Sequence, residues 1–387
     1  YGCWIRRVNG PASAGESIKK ASSWWKIRKD RSKQYGPAKF LCGGFMDMCN
    51  AHGNIWEERG PDYRFLRTLE PEPGCFSEEE RLRAINGPLI DWYREHARDL
   101  PWRKDRDAYH VWISEIMLQQ TRVEAVKPYY LRFMEAFPNA EALAGAEDEV
   151  LLKMWEGLGY YSRARNLKKA AIRIRDEYGG ELPASGEELL TLPGIGSYTA
   201  GAVASIAFGI PAPAVDGNVL RVLSRFLGSR LDVSLSGTKK RFEKLLSETM
   251  DREEPGLYNQ GLFEVGALVC VPNGAPRCGI CPLAWLCRAK REGLWEELPV
   301  KASKKPRRVQ EKTIFVLTSG TQVAIRKRPD KGLLASLYEF PGAEGCLSLE
   351  NDWEKAADAA GVAREDIVSV EPLGEAKHIF SHVEWHM

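Results

Sequence analysis

Four cysteines crowded into one short segment constrain this chain more than any other feature of its sequence. Cys270, Cys278, Cys281 and Cys287 lie within 18 residues and are separated by seven, two and five residues, so short loops can bring their thiolates to one centre. Soft thiolate ligands favour zinc or an iron–sulfur cluster. Two disulfides or four packed thiols are the alternative, which the lack of a secretory signal pattern disfavours. The spacing predicts a metal centre and leaves zinc and a [4Fe–4S] cluster open.

Composition narrows the class of protein. A length of 387 residues predicts two or three domains, and a hydrophobic content of 44% permits a sizeable core. The 55 basic and 53 acidic residues give a net charge of +2, which excludes a polycation and a self-repelling disordered chain. No apolar run approaches the ~18 residues that would span a bilayer. We therefore expect an intracellular protein with no membrane partner, cytoplasmic and nucleoid-associated if the source is bacterial. The start at Tyr1 and the end at Met387, within a strand-like run, predict a fragment at both ends.

Charge and hydrophobic periodicity divide the chain into four segments. These are a weakly structured extension over 1–76, an all-α core of short amphipathic helices over 77–296, a basic linker over 297–312 and an α+β domain over 313–387. Ser77 and Glu80 predict a capping box at the first helix of the core. Within the core we expect a six-helix module at about 101–210 and a second module formed by 77–100 and 211–296.

Two glycines in the segment LPGIGSYTAGAV, Gly194 and Gly196, predict a tight turn between two helices. Glycine lets backbone N–H groups approach a phosphate, and the N-terminus of the following helix adds its dipole. Such a hairpin grips the DNA backbone without reading bases. An ordinary helix–turn–helix is an equally good interpretation of these residues alone.

Two carboxylates flank this turn in the sequence. Asp216 directly precedes a helix, where an N-cap or an Asp-Gly turn is the more common role. Glu115 lies in the apolar segment VWISEIMLQQT, where a buried carboxylate is costly unless it is paired or functional. Glu115 is therefore either a solvent-facing helix residue or a general acid whose proton affinity is raised by burial.

The order of hairpin, Asp216 and four cysteines resembles the helix-hairpin-helix DNA glycosylases that carry an iron–sulfur cluster. Within that superfamily, the segments SEIMLQQT (114–121), GLGYYSRARNL (157–167) and VDGNV (215–219) resemble the MutY-type adenine DNA glycosylases. The match runs from about Leu82 to the C-terminus. One departure is the spacing of the first two cluster cysteines, which is usually six residues in the family and seven here.

The resemblance implies removal of adenine mispaired with 8-oxoguanine from double-stranded DNA by a monomeric enzyme. Glu115 matches the general acid that protonates adenine, and Asp216 matches the carboxylate that stabilises the oxocarbenium-like sugar. Tyr198 and Asn218 match residues that support this pair. Related endonuclease III enzymes place a nucleophilic lysine at position 198, so the tyrosine predicts a glycosylase that does not nick the strand. The four cysteines match the ligands of a [4Fe–4S] cluster with a structural or DNA-sensing role.

The resemblance also implies contacts to the extruded base and its partner. Gln120 and Tyr160 match residues inserted beside the oxidised guanine, and Trp102, Arg103 and Gln260 match positions near the adenine pocket. A Gln amide can bond an adenine edge bidentately. Independently of the family, the segment from Tyr160 to Arg165, with Arg163 between them, reads as a surface for stacking and phosphate contacts. A core position is an equal alternative for Tyr161.

The C-terminal segment resembles the Nudix-like domain of the same family. A hairpin is expected around Ser319–Gly320, a helix in NDWEKAADAAG and a strand over EAKHIFSHVEW. The predicted helix lacks the glutamate cluster of Nudix hydrolases, so we expect no nucleotide hydrolysis. Phe380, Ser381 and His382 match the family's loop that recognises 8-oxoguanine, although without the family an edge strand is the better interpretation.

Other functions fit less of the sequence. An endonuclease III-like pyrimidine glycosylase with lyase activity is disfavoured by Tyr198 and by the C-terminal domain. A non-catalytic DNA-binding protein with a structural metal would lack Glu115 or Asp216, and both are present. An iron–sulfur electron carrier would need neither the hairpin nor the paired carboxylates.

Overall fold

A computed structural model describes residues 76–302, 306–348 and 352–387 of the chain. The chain divides into two compact units between Pro299 and Val300. The predicted N-terminal extension, apart from Phe76, lies outside the described residues. In the described part, no helix is both long enough and apolar enough to cross a membrane.

The first unit is helical, as the sequence predicts. Its helices are α1 (Glu78–Ala84), α2 (Asn86–His96), α3 (Ala108–Leu118), α4 (Val123–Ala136), α5 (Ala140–Ala144), α6 (Asp148–Met154), α7 (Ser162–Tyr178), α8 (Gly186–Thr191), α9 (Ser197–Ile206), α10 (Gly217–Leu227), α11 (Ser236–Thr249), α12 (Pro255–Glu264) and α13 (Arg288–Glu292). Short 3₁₀ turns lie at Pro101–Arg103 and Cys278–Ile280, and a π-helical turn at Val265–Val269 follows α12. The predicted capping box is confirmed, because Ser77 Oγ accepts from Glu80 N at 3.1 Å and Glu80 Oε2 accepts from Ser77 N at 2.7 Å.

Two hydrophobic clusters form the core of this unit. The first is built from α3 to α9 around Trp112, Phe133 and Trp155. The second combines α1 and α2 with α10 to α12 and with Leu283 and Leu286 of the cysteine-rich segment. Along the described residues, the helices thus contribute first to the second cluster, then to the first, and finally to the second again.

Small residues let the two clusters approach each other. A Cβ added to Gly201 in α9 would lie 2.1 Å from the carbonyl oxygen of Pro213, and one added to Gly256 in α12 would lie 2.8 Å from that of Ser205. Both distances are shorter than van der Waals contact, so only glycine permits this backbone approach. The segment that leads to Asp216 is thereby packed directly on α9.

The second unit has short strands and one helix. Its strands are β1 (Arg308–Ile314), β2 (Thr318–Ser319), β3 (Gln322–Val323), β4 (Arg326–Lys327), β5 (Tyr338–Glu339), β6 (Gly342–Glu344), β7 (Lys377–Ile379) and β8 (Val383–His386), with α14 at Trp353–Ala360. The main sheet has the order β6-β1-β8-β7, in which only the β1–β8 pair is parallel. Hairpins β2–β3 and β4–β5 stand apart from it.

Two sequence expectations for this unit need correction. The segment expected to be one strand is a hairpin of β7 and β8, and Phe380, Ser381 and His382 form its connection. Strand β1 begins at Arg308, inside the segment predicted as a linker, because it pairs with β8 from Arg308 onwards. The hairpin around Ser319–Gly320 and the helix α14 are confirmed.

Candidate active site

A cavity of about 780 Å³ opens in the first unit, where the two hydrophobic clusters meet. Residues from both clusters line it, and they include nine of the predicted site residues: Trp102, Arg103, Glu115, Gln120, Tyr160, Tyr198, Asp216, Asn218 and Gln260. These residues are spread over about 160 positions of the sequence. The fold therefore gathers the predicted catalytic and base-contacting side chains around one space.

Glu115 is buried on this cavity. It lies on α3, which begins after Asp107, whose carboxylate accepts from Tyr109 N at 2.8 Å. Glu115 is only 6% exposed, and Tyr198 Oη donates to its Oε2 atom at 2.5 Å. Burial raises the pKa of Glu115 to about 7, although the hydrogen bond from Tyr198 opposes the shift. The interpretation as a solvent-facing glutamate is wrong, and the carboxyl can hold a proton near neutral pH.

Asp216 is both a helix cap and a cavity residue. It is the N-cap of α10 and accepts from Asn218 N at 2.9 Å and Val219 N at 2.8 Å. Its Oδ2 atom accepts from Asn218 Nδ2 at 2.8 Å. Burial raises the pKa of Asp216, and these three hydrogen bonds act against that rise. The cap geometry therefore stabilises the ionised carboxylate at the positive end of a helix.

A buried ion-pair network that the sequence reasoning missed lies beside the carboxylates. Glu264 is fully buried and accepts from Arg98 Nε at 2.8 Å and from Arg103 Nη1 at 3.0 Å. Burial alone would raise the pKa of Glu264, but the hydrogen bonds from Arg98 and Arg103 lower it to about 2. Like Glu115, Glu264 lies in an apolar run. Because burying a carboxylate is costly, the argument that identified Glu115 as a candidate could have identified Glu264 too.

The amide of Gln260 is already bonded within the protein. Tyr93 Oη donates to Gln260 Oε1 at 2.8 Å, and Gln260 Nε2 donates to the carbonyl oxygen of Gly256 at 3.2 Å. The amide lines the cavity, and each of its polar atoms keeps one further bonding position, an N–H on Nε2 and a lone pair on Oε1. The two contacts within the protein fix the orientation of the amide.

Gln120 and Tyr160 lie at the cavity with unusual backbone angles. Their φ values are 59° and 49°, in the left-handed region that non-glycine residues rarely adopt, and both side chains are exposed. Arg163, which the sequence suggested as a phosphate contact, is instead buried and donates to backbone carbonyls. Tyr161 packs against the first hydrophobic cluster, as its alternative interpretation held.

Gly194 and Gly196 form the turn between α8 and α9 and are not among the residues that line the cavity. Gly194 has a φ of 80°, and an added Cβ would lie 2.7 Å from Asn166 Cβ. Gly196 is the N-cap of α9 and provides no side-chain cap. The first N–H groups of α9 are therefore available to an external acceptor such as a phosphate.

The four clustered cysteines surround a second, small cavity of about 30 Å³. None of the described cysteines forms a disulfide, so the disulfide interpretation is wrong for these four. In the described part of the chain, no three His, Cys, Asp or Glu side chains are placed to hold one metal ion. A donor set of four thiols around one cavity suits either zinc or an iron–sulfur cluster.

Two arginines connect this cysteine site to its surroundings. Arg225 Nη1 lies 3.5 Å from Cys270 Sγ. Arg221 Nε donates to the carbonyl oxygen of Cys270 at 2.8 Å, and its Nη2 atom donates to Asn218 Oδ1 at 3.0 Å. The cysteine segment is thus bonded to a residue that supports Asp216.

The predicted recognition loop of the second unit is partly exposed. The ring of Phe380 packs against that of Trp385, with centroids 4.8 Å apart. Ser381 and His382 are exposed, and Ser381 Oγ lies 3.2 Å from His382 Nδ1. Phe380 anchors the loop, and the two polar side chains are presented to solvent.

Comparison with known proteins identifies the family. The HhH-GPD superfamily of base excision DNA repair proteins matches residues 113–248, and the NUDIX domain matches residues 313–387. Adenine DNA glycosylase of Homo sapiens is 33% identical to this chain over an alignment 447 residues long. That alignment covers 98% of this chain and 80% of the human protein. That of Schizosaccharomyces pombe is 34% identical and covers 79% of this chain and 80% of the yeast protein. The chain belongs to the adenine DNA glycosylase family.

The helical unit also resembles a solved structure. A thermostable thymine-DNA glycosylase is 29% identical with a TM-score of 0.50, and the match covers 55% of this chain and 97% of that protein. These relationships confirm the predicted helix-hairpin-helix core, the Nudix-like second unit and the assignment to base excision repair as a DNA N-glycosylase. The alternative of a non-catalytic DNA-binding protein is therefore disfavoured.

Proposed function

We propose that this enzyme removes adenine paired with 8-oxoguanine, or with guanine, from double-stranded DNA. The observation that carries the proposal is a pair of carboxyl groups on one cavity, the buried Glu115 bonded to Tyr198 and the half-buried Asp216 bonded to Asn218. Burial raises the pKa of Glu115 to about 7, whereas hydrogen bonds at a helix N-terminus oppose the rise that burial causes at Asp216. Cleavage of a glycosidic bond needs one acid and one anion in this arrangement.

In the proposed mechanism, Glu115 donates its proton to a ring nitrogen of the extruded adenine. The bond between that base and C1′ of the sugar then breaks, and its electron pair leaves with the base. Asp216 stabilises the positive charge that develops on the sugar. Water adds to C1′ and loses a proton, and the strand retains an abasic site. Tyr198 and Asn218 hold the two carboxyl groups in position.

We further propose that the enzyme does not cleave the strand. Position 198 holds a tyrosine, and no lysine is found among the described residues that line the cavity. A Schiff base with the sugar needs an amine nucleophile. Borohydride trapping on the mispaired duplex should therefore yield no strong covalent adduct.

The test of the function is adenine release from a duplex that contains an adenine:8-oxoguanine pair. Glu115→Gln keeps the size of the side chain and removes the proton donor, so we expect single-turnover release to fall at least ~100-fold. Glu187→Gln, at an exposed glutamate on α8, is the matched control and should release adenine normally. Unchanged release in Glu115→Gln would refute the proposed acid.

We propose that Phe380, Ser381 and His382 recognise the base opposite the adenine. The exposed hydroxyl and imidazole can bond the edge of 8-oxoguanine, while Phe380 is anchored on Trp385. The double substitution Ser381→Ala and His382→Ala should therefore reduce the preference for 8-oxoguanine over guanine opposite adenine. A preference ratio equal to that of the wild-type enzyme would contradict this role.

We propose that Cys270, Cys278, Cys281 and Cys287 bind a [4Fe–4S] cluster. The support is the all-thiolate donor set around one small cavity, with Arg225 beside Cys270. Such a cluster would cross-link the cysteine segment and takes no part in hydrolysis. We also propose a monomer, because one chain completes the cavity, and an intracellular location, because the substrate is DNA.

A further inference from the structure

One buried arginine is bonded to both loops that carry the exposed residues Gln120 and Tyr160. Arg163, in the first turn of α7, is only 8% exposed. Its Nη1 atom donates to the carbonyl oxygens of Ile116, Met117 and Gln119 at 2.8, 3.0 and 2.7 Å. Its Nη2 atom donates to the carbonyl oxygens of Leu158 and Gly159, both at 3.1 Å. One guanidinium thus cross-links two segments about 40 residues apart in the sequence.

Two of these five carbonyl groups belong to the residues that directly precede the strained residues Gln120 and Tyr160. Gln119 precedes Gln120, whose φ is 59°, and Gly159 precedes Tyr160, whose φ is 49°. Left-handed angles at non-glycine residues cost free energy and persist only where the surroundings fix them. The hydrogen bonds from Arg163 to both carbonyls provide that fixation.

The partners of Arg163 are unusual for a buried cation. Its Cζ atom lies 5.2 Å from the ring centroid of Trp155 and 5.6 Å from that of Tyr160. In the described ranges, no carboxylate forms an ion pair with it, and its charge is balanced by carbonyl dipoles at the C-terminal end of α3. A buried charge without a counter-charge is costly, so a purely structural role explains it poorly.

We propose that Arg163 is a positioning residue that holds Gln120 and Tyr160 in one fixed arrangement, so that both side chains enter the duplex together during extrusion of the base. This inference rests on the proposed function and on the resemblance of Gln120 and Tyr160, here called the wedge, to residues inserted beside the oxidised guanine. Because Arg163 also bonds the end of the helix that carries Glu115, it fixes the wedge relative to the acid. It touches neither the base nor the sugar.

The test uses the full chain and a duplex with 2-aminopurine opposite 8-oxoguanine, whose fluorescence reports unstacking of the base. Arg163→Lys retains the positive charge. The lysine ammonium lacks the planar set of donors of a guanidinium, so it cannot bond both loops at once. We expect the extruded fraction and the single-turnover rate to fall about tenfold, because hydrogen bonds from a charged donor are lost. Affinity for an undamaged duplex should stay within about twofold, since phosphate contacts dominate it. Arg175→Lys, at an exposed residue of the same helix paired with Asp176, is the matched control.

A double-mutant cycle separates positioning from a general effect on folding. Gln120→Gly combined with Tyr160→Gly removes both wedge side chains and accepts the left-handed backbone angles. In that background Arg163→Lys should reduce extrusion by less than about twofold, because the side chains it positions are gone. A further tenfold loss there would overturn the proposal.

Two further outcomes decide between the hypotheses. If Arg163→Lys is unfolded by circular dichroism, Arg163→Gln, which keeps some donors without the charge, replaces it in the same cycle. Normal extrusion by a folded Arg163 variant would refute the positioning role alone. A wild-type enzyme that binds the duplex but neither extrudes nor releases the base would refute the proposed function as well.

Discussion

At the scale of single residues, the candidate active site is arranged around two carboxyl groups that differ in their hydrogen bonds. Burial raises the pKa of both, to about 7 for Glu115, but three donors at a helix N-terminus oppose the rise at Asp216, whereas Tyr198 alone donates to Glu115. The nearby carboxylate of Glu264 accepts from Arg98 and Arg103, and the charge of Arg103 acts against the rise in the pKa of Glu115. The division of roles between acid and anion follows from these local contacts.

The raised pKa of Glu115 predicts a cost in stability. A carboxyl whose pKa is higher in the folded state destabilises the fold once the pH exceeds its unfolded value of about 4.5, and the penalty is complete above pH 7. Glu115→Gln, which removes this charge, should therefore stabilise the protein by about 3 kcal/mol at pH 8.5 and by little at pH 4.5. Chemical denaturation at the two pH values measures the difference. An equal effect at both would show that Glu115 is not buried as an acid.

At the scale of secondary-structure elements, the site depends on close backbone packing between α9 and the segment before α10. Gly201 approaches Pro213 so closely that no side chain fits. The hydrogen bond from Asn259 Nδ2 to the carbonyl oxygen of Ala212, at 2.8 Å, holds the same segment. The position of Asp216 relative to α9, which carries Tyr198, is fixed by this contact.

Gly201→Ala should disturb that contact. The added Cβ would lie 2.1 Å from a backbone carbonyl oxygen, so the segment has to move, and we expect a loss of about 3 kcal/mol in the free energy of unfolding. Adenine release should fall as well, because Asp216 moves with the segment. Gly237→Ala in α11, where the new Cβ meets no atom within 4 Å, is the control for the substitution itself. Similar unfolding free energies for the two variants would contradict the packing argument.

At the scale of the whole molecule, the cysteine segment completes the second hydrophobic cluster. Leu283 and Leu286, which lie between Cys281 and Cys287, belong to that core together with α1, α2 and α10 to α12. Arg221 bonds the same segment to Asn218. Loss of the proposed iron–sulfur cluster should therefore affect both stability and the proposed catalytic pair.

Cys281→Ser tests this connection. We expect the absorbance near ~400 nm from thiolate-ligated iron to fall, together with the melting temperature and adenine release. Cys346→Ser, at an exposed cysteine of the second unit, is the matched control and should leave all three unchanged. Full absorbance in Cys281→Ser would exclude Cys281 as a ligand.

Much of this protein follows from the sequence by itself. Helical periodicity, the Ser77 capping box and the spacing of the four cysteines are local patterns, and each is expressed within a few residues of chain. Glu115 and Asp216 could also be identified as candidates from the amino-acid sequence. Glu115 is a carboxylate within an apolar run, and Asp216 directly precedes a predicted helix. The prediction of a single strand around Phe380 was wrong, because the structure has a hairpin there. Alternating polarity does not reveal where a chain reverses direction.

Only the tertiary structure decided how these residues act. It buried Glu115, which raised the pKa of the carboxyl to about 7, and it paired the same carboxyl with Tyr198, 83 positions away. It buried Arg163, which the sequence suggested as a phosphate contact, and joined it to the two loops that carry Gln120 and Tyr160. Burial and long-range hydrogen bonds depend on distances through space, and no local pattern encodes those distances.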